Sequence, residues 1–347
     1  KGFGSYGFPE SHAASFAHLV YISAWIKRFH PAAFACALLN SQPMGFYAAA
    51  EIVRDAREHD VETRHVDVNF SAWDNTLEHR AGGTLALRLG LRQIDGFRED
   101  WATTLIASRG NGYADVDGLA RRTHLPKRAL ILLAEADSFQ SLAVDRRESL
   151  WAVRRLADSD SLPLFQTQYV EEHTAEEIAP LPLMPLGEHV LADYRMLRLS
   201  LRAHLMQFLR ALFQGEGVMS CAEISKAADG ARARCAGIVL TRQMPGDAGV
   251  VFITLSDETS VANVVVWPRL VETFRRAIMG GRLLLVDGKI QRSPEGVVHL
   301  VAERIFDRTE ELDRISEDET EPPIRAPDST PRHPRNVRIV PRSRDFH

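Results

Sequence analysis

Cysteine is nearly absent: Cys36, Cys221 and Cys235 are the only three in 347 residues, far apart along the chain and in no Cys-x-x-Cys pair. Their scarcity argues against a disulfide framework and against a structural zinc site, and it fits a reducing cytoplasm. Long hydrophobic runs are absent too. No stretch of about eighteen apolar residues occurs, so no segment reads as a membrane span. Compact catalytic signatures are also missing. There is no Gly-x-Ser-x-Gly and no His-Glu-x-x-His, and His12 and His18 stand six apart, off the i, i+4 spacing of one helix face. The chain opens at Lys1 in mid-motif, without Met or a signal sequence, which reads as a fragment of a longer protein.

What is present is ordinary in amount and uneven in place. The length allows two or three domains with a sizeable core, and the net charge of −4 averages over opposed regions. Residues 310–321 are strongly acidic, whereas Arg332, Arg335, Arg338, Arg342 and Arg344 make the tail basic. Local patches of this kind permit nucleic-acid binding in a globally acidic chain.

The first thirty residues carry the sharpest local signal. A turn rich in glycine and aromatics, Lys1-Gly-Phe-Gly-Ser-Tyr-Gly-Phe8, runs through Pro9-Glu10-Ser11-His12 into an unbroken helical pattern. Glycines allow close backbone approach to an anion, and the free amides of a helix start favour phosphate. The same residues serve equally as an ordinary helix start, with no Walker or dinucleotide fingerprint. Apolar residues then recur at helical spacing from Ser11 to about Asn40 (Phe16, Leu19, Val20, Ile26, Phe29), broken at His30-Pro31, and read as core.

Further along, Gly45 to His59 reads as a helix, and Val61 to Asn69 and Thr84 to Gly90 read as strands. Ile94-Asp-Gly-Phe-Arg-Glu-Asp100, leading into Trp101 to Ser108, has the layout of a helix-hairpin-helix, which meets the DNA backbone through helix-start amides. Gly96 forms the turn, and Arg98 replaces the usual second glycine. Pro126 to Glu135, Ala136-Asp-Ser-Phe139 and Arg146 to Leu156 read as a second hairpin, phosphate-binding or purely structural, with Asp137 in place of glycine. Residues 157–186, rich in Pro, Glu, Asp and Thr, read as a linker, followed by an amphipathic helical stretch from Tyr194 to Leu209. Five strands (Ala231 to Arg242, Val250 to Leu255, Ala262 to Val266, Arg282 to Gln291, Val297 to Arg304), with a helix Pro268 to Ile278 between the third and fourth, predict an OB-fold. Phe252 and Trp267 are its candidate stacking residues, and Arg242, Arg269, Arg282 and Lys289 its candidate phosphate contacts. From Thr309 the tail lacks periodicity and reads as disordered.

Several of these residues also carry a resemblance. The run Gly4 to Ala17, with Tyr21, Trp25-Ile-Lys27 and His30-Pro31-Ala-Ala-Phe34, resembles the end of the fingers domain of bacterial C-family DNA polymerases, more narrowly the error-prone, polymerase III alpha-like subfamily. Gly187-Glu-His-Val190, the stretch Tyr194 to Leu209 and the ending His333 to His347 resemble the same subfamily, with Leu205 where proline is frequent. The resemblance implies that Ser11 and His12, with Tyr6 and Gly7, lie beside the triphosphate of an incoming deoxynucleotide. Glu10 stands where replicative relatives have lysine. Ser161-Leu-Pro-Leu-Phe165 resembles a sliding-clamp peptide without its leading Gln, leaving Leu162, Leu164 and Phe165 to fill an apolar groove.

The resulting expectation is a multi-domain α+β chain: 1–80 the end of the fingers, 81–158 the tandem helix-hairpin-helix region, 159–212 linker and amphipathic helix, 213–308 the OB-fold, and 309–347 a flexible acidic then basic tail. The resemblance implies the C-terminal portion of a translesion DNA polymerase that holds nucleotide, primer-template duplex and single-stranded template. It further implies a sliding clamp and an accessory protein of a mutagenic repair complex as partners, with no membrane role. No palm-type carboxylate set is visible, so the Mg2+ of nucleotidyl transfer and the catalytic residues are expected upstream, and this chain is not expected to catalyse alone. The alternative is a non-enzymatic DNA-binding adaptor, and a third reading gives the OB-fold protein contacts only.

Overall fold

The computed structural model describes residues 10–44, 47–156, 182–245, 249–316 and the backbone of 344–345. The chain forms two compact units, Lys1–Leu181 and Pro182–His347.

In the first unit, α1 (Glu10–Phe29) and α2 (Pro31–Asn40) are separated at His30, because Pro31 starts a helix readily but cannot continue one. The core expected along α1 is not buried here. Phe16 is 53% exposed and Tyr21 70%, and Leu19, Val20, Trp25 and Phe29 are exposed as well. Helix α3 (Ala49–Glu58) turns Ala49, Ile52, Val53 and Ala56 inward at the spacing of one helix face. A small sheet follows: β3 (Leu85–Arg88) lies between β1 (Thr63–Arg64), parallel to it, and β2 (Thr76–His79), antiparallel. The strand expected over Val61 to Asn69 therefore shrinks to two residues, because the chain turns at 68–70.

Helices α4 (Glu99–Ser108), α5 (Val116–Thr123), α6 (Lys127–Glu135) and α7 (Arg146–Arg155) follow among the described residues of this unit. Their organiser is the buried Asp67. Its carboxylate accepts from the Ser141 amide (2.9 Å), the Ser141 hydroxyl (2.8 Å) and the Asn69 amide (2.8 Å). Asn69 in turn accepts from the Tyr113 amide at 2.7 Å and donates to the Tyr113 carbonyl at 3.0 Å. Arg109 donates to the carbonyl oxygens of Val68 and Ser71.

In the second unit, α8 (Leu186–Leu197) and α9 (Leu205–Gly215) replace the single stretch expected over Tyr194 to Leu209. Arg198 takes a left-handed conformation (φ 62°) and ends α8. Leu205 is the first residue of α9, a position that also suits proline. After α10 (Cys221–Lys226) come β4 (Arg232–Gln243), β5 (Val251–Ser256), β6 (Val261–Val266), β7 (Leu283–Arg292) and β8 (Val298–Asp307). The order β5-β6-β8-β7-β4, closed by β4–β5 pairing, makes a five-stranded barrel with β6 and β8 parallel. Two short helices, α11 (Pro268–Thr273) and α12 (Arg275–Gly280), stand where one was expected, divided at Phe274.

The barrel interior is filled by Val239, Ile253, Leu255, Val264, Val266, Val286, Leu300 and their neighbours, with Ile278 of α12 packed among them. A second core lies on the outside of β4 and β7, where Ala236, Ile238, Leu283 and Leu285 meet Leu205, Leu209 and Phe213 of α9. Leu312 and Ile315 of a 3-10 helix (Thr309–Ser316) join it, so the first residues of the expected disordered tail are packed structure. The helices at 186–215 belong with the barrel, and the expected boundary at 213 falls inside one packed unit. Cys221 and Cys235 are buried free thiols whose sulfurs stand 3.9 Å apart, and that contact together with burial pushes the Cys221 thiol up.

Asp257, buried in the β5–β6 turn, ties α9 and α10 to the barrel. It accepts from Arg210 at 2.6 Å, from the Cys221 amide at 2.8 Å and from the amides of Thr259 and Ser260. Burial alone would raise its pKa, but the Thr259 hydroxyl, donating at 2.6 Å, and the Cys221, Thr259 and Ser260 amides outweigh it and hold the carboxyl below its ordinary value. Its contribution to stability is therefore complete above about pH 4 and fades as pH falls through the lowered pKa. Asp257→Asn should lower the urea-unfolding stability at neutral pH by about 1.5–3 kcal/mol, since charged hydrogen bonds to a buried carboxylate are lost while Arg210 keeps Glu258 as its partner. The variant should also flatten the acid limb of the stability–pH profile.

Candidate nucleic-acid interface

The barrel's outward surface follows from strand alternation. Ile253 and Leu255 point inward on β5, so Phe252 and Thr254 point out. By the same rule Asn263 and Val265 of β6, His299 and Val301 of β8, and Lys289 and Gln291 of β7 face outward. Register arranges them in two rows. Phe252 pairs with Val265, Val265 with Val301, and Val301 with Lys289, while Thr254 pairs with Asn263, Asn263 with His299, and His299 with Gln291. The first row continues from Lys289 to Arg232 of β4, placing two exposed cations side by side.

One end of this face is apolar. The end of β4, the start of β5 and the end of β6 meet there, which brings Met244, Phe252 and Trp267 to the same rim. Phe252 is 36% exposed and Trp267 52%. Trp267 sits just past β6 in extended backbone and precedes Pro268, the first residue of α11. The β4–β5 loop reaches the same corner: a Cβ on Gly249, whose φ is +65°, would lie 3.5 Å from Pro268.

Further along, the Thr254 hydroxyl donates to Asn263 Oδ1 at 3.2 Å. His299 Nδ1 is buried and has no hydrogen-bond partner among the described residues. The face thus combines aromatic surfaces, hydrogen-bonding groups and a cationic edge, as a strand of stacked bases with a phosphate backbone requires. Sequence reasoning found Phe252, Trp267 and Lys289 here. It missed Thr254, Asn263, His299 and Arg232, whose alternation was visible but whose neighbours across the barrel were not.

Arg242 is a correction. It was expected to track phosphate, yet it is only 5% exposed, and its guanidinium donates to the carbonyl oxygens of Ile278 and Gly281 at the end of α12. A buried cation facing the carbonyl end of a helix neutralises its partial negative charge and anchors the corner between β4 and α12.

The hairpins are less open to phosphate than the barrel face. Gly96 provides the left-handed turn (φ +78°), preceded by a three-residue 3-10 turn, Leu91–Gln93, in place of a full first helix. Arg98 caps α4, but its guanidinium forms two hydrogen bonds with Asp100 (2.9 and 2.8 Å) and lies over Trp101. An exposed pair of this kind is worth about 0–1 kcal/mol, so a phosphate can displace Asp100. Glu99 and Asp100 nonetheless leave acid at the helix start. In the second hairpin Asp137, Ser138 and Phe139 are buried, and the Ser138 carbonyl accepts from the Val68 amide. That turn is a structural joint, the second of the two readings left open for it. Tyr6, Gly7, Leu162, Leu164 and Phe165 lie outside the described residues, as do the side chains of Ser11 and His12.

Residues 60–149 match the helix-hairpin-helix motif family, and residues 233–307 match the OB-fold nucleic acid binding domain family. Over its whole length the chain is similar to error-prone DNA polymerases. It is 57% identical to that of Rhodopseudomonas palustris (strain BisA53), covering 100% of this chain and 33% of the relative. It is 56% identical to that of Brucella abortus biovar 1 (strain 9-941), covering 100% and 32%. The chain thus spans about a third of the length of these relatives. Asparaginyl-tRNA synthetase from Pyrococcus horikoshii, a solved structure, is 24% identical with a TM-score of 0.23, covering 27% of this chain and 26% of that one, and carries no argument.

Arg242→Ala should cost the second unit about 1.5–3 kcal/mol in urea unfolding, because charged hydrogen bonds to two buried carbonyls are lost. Under conditions where the variant stays folded, its affinity for single-stranded DNA should equal that of the wild type.

Proposed function

We propose that this chain is the C-terminal, DNA-holding portion of an error-prone DNA polymerase and that its barrel face binds the single-stranded template. The observation that supports the reading best is the coincidence of whole-length similarity to such polymerases with an OB-fold whose exposed aromatics, polar groups and cations lie in continuous rows. Trp267 and Phe252 stack bases, Asn263 and His299 offer hydrogen bonds to base edges, and Lys289 with Arg232 meets phosphate. The helix-hairpin-helix region grips duplex behind the reaction site through backbone amides, with Gly96 forming the turn.

Nucleotidyl transfer with two Mg2+ ions needs closely spaced carboxylates. Among the described residues no group of three or more His, Cys, Asp or Glu side chains is placed to hold a metal ion. We assign that role to the part of the polymerase outside this chain. The exposed apolar side chains of α1 fit burial against such a neighbouring part. In the whole enzyme Tyr6, Gly7, Ser11 and His12 contact the deoxynucleoside triphosphate, Leu162, Leu164 and Phe165 engage the sliding clamp, and a mutagenic-repair accessory protein joins the complex during synthesis past damaged template.

The test is equilibrium binding of a labelled single strand across a salt series. Trp267→Ala and Phe252→Ala should each weaken affinity about fivefold or more, at about 1–3 kcal/mol per stacked base. Lys289→Ala should shift affinity equally for all sequences and reduce the salt slope by about 0.7. Unchanged binding in all three variants would remove the barrel face from the function.

A further inference from the structure

The longest strand of the barrel has an edge that its barrel neighbours do not cover. Residues 232–238 of β4 pair with β7, whereas 238–243 pair with β5 on the other side. The last link toward β7 is the Val239 amide donating to the Arg282 carbonyl at 2.9 Å, because the chain before Leu283 departs into α12. Beyond Val239, β4 therefore carries backbone groups on that side with no β7 to receive them. Thr241 and Arg242 are buried there, and a buried backbone group left unpaired costs about 1–3 kcal/mol.

What lies against this edge is the end of the same chain. Arg344–Asp345 forms a short strand, β9, that runs parallel to β4 with Thr241 opposite Arg344 and Arg242 opposite Asp345. Arg344 and Asp345 give the short strand a charged residue at each position. Short, charged edge strands are how sheets avoid pairing with further chains. At roughly 3.4 Å per residue, residues 317–343 are ample to reach the edge from Ser316.

We propose that the C-terminal peptide docks in cis as a sixth strand on the β4 edge at residues 241–242, closing the OB-fold where its own strands leave it open. This goes beyond the assignment of the barrel face to DNA. It makes residues 344–345 part of the barrel and places them on the opposite side of β4 from β5.

Amide hydrogen exchange of the full chain tests it against two variants, one carrying Arg344→Pro and Asp345→Pro together, which removes both strand amides, and a chain ending at Pro341. Of the Thr241 to Gln243 amides, those that face away from β5 should exchange at least about tenfold faster in both, with the interior amides of Val264 and Leu300 unchanged. An excess of synthetic peptide 333–347 should restore protection to the shortened chain. Equal exchange in all three proteins, or no recovery with the peptide, would overturn the proposal. Wild-type protection that fades on dilution would overturn docking in cis, because the strand would then come from a second copy.

Discussion

The second unit depends on β4 being buried on both faces at once. Its inward residues, Cys235 and Val239 among them, fill the barrel, while Ala236 and Ile238 on the other face receive α9 and the 3-10 helix at 309–316. The same strand closes the barrel by pairing with β7 over its first half and β5 over its second, with an irregularity between Val239 and Thr241 where the partner changes. Everything functional about the barrel follows from that closure. It fixes the register that lines Phe252 up with Lys289, and it brings the ends of β4 and β6 to the rim where Trp267 is exposed. Arg242, at the change of partner, is spent on holding α12 and is not available to DNA.

The first unit is organised by a polar centre. Asp67 and Asn69 hold the turn after α6 and the loop before α5 through hydrogen bonds to Ser141 and Tyr113. The price of that joint is that the second hairpin turn is buried and cannot meet a phosphate. The first hairpin stays exposed but carries two acids beside Arg98. The balance of accessible aromatic, polar and cationic groups consequently favours the barrel over the hairpins as the place where a single strand is held.

Much of this was legible from sequence, and the parts that were not share a cause. The barrel strands were located to within one residue at each end, except that the last runs three residues past Arg304, because alternation and turn residues are local signals. The break at Pro31 was equally plain. The strand Thr76–His79 escaped notice because it is short and polar, and α5 because Gly118 weakens its helical signal. The separation of α8 from α9 rests on Arg198, Asp137 turns the second hairpin, and both adopt positive φ where no glycine announces it. Arg242 looked like a surface cation because burial of a charge by two carbonyls is a tertiary fact. His299 and Asn263 became candidate site residues only when parallel pairing of β6 with β8 put them side by side. The family resemblance supplied what periodicity cannot, a polymerase context, and the relatives found over the whole chain are error-prone DNA polymerases.

The most direct measurement is ultraviolet crosslinking of a single-stranded oligonucleotide to the intact chain, with the adducts mapped by mass spectrometry. The account predicts adducts on the peptides that contain Phe252, Trp267 and His299. Adducts confined to residues 94–108, with none on the barrel, would contradict it and return the single strand to the hairpin region.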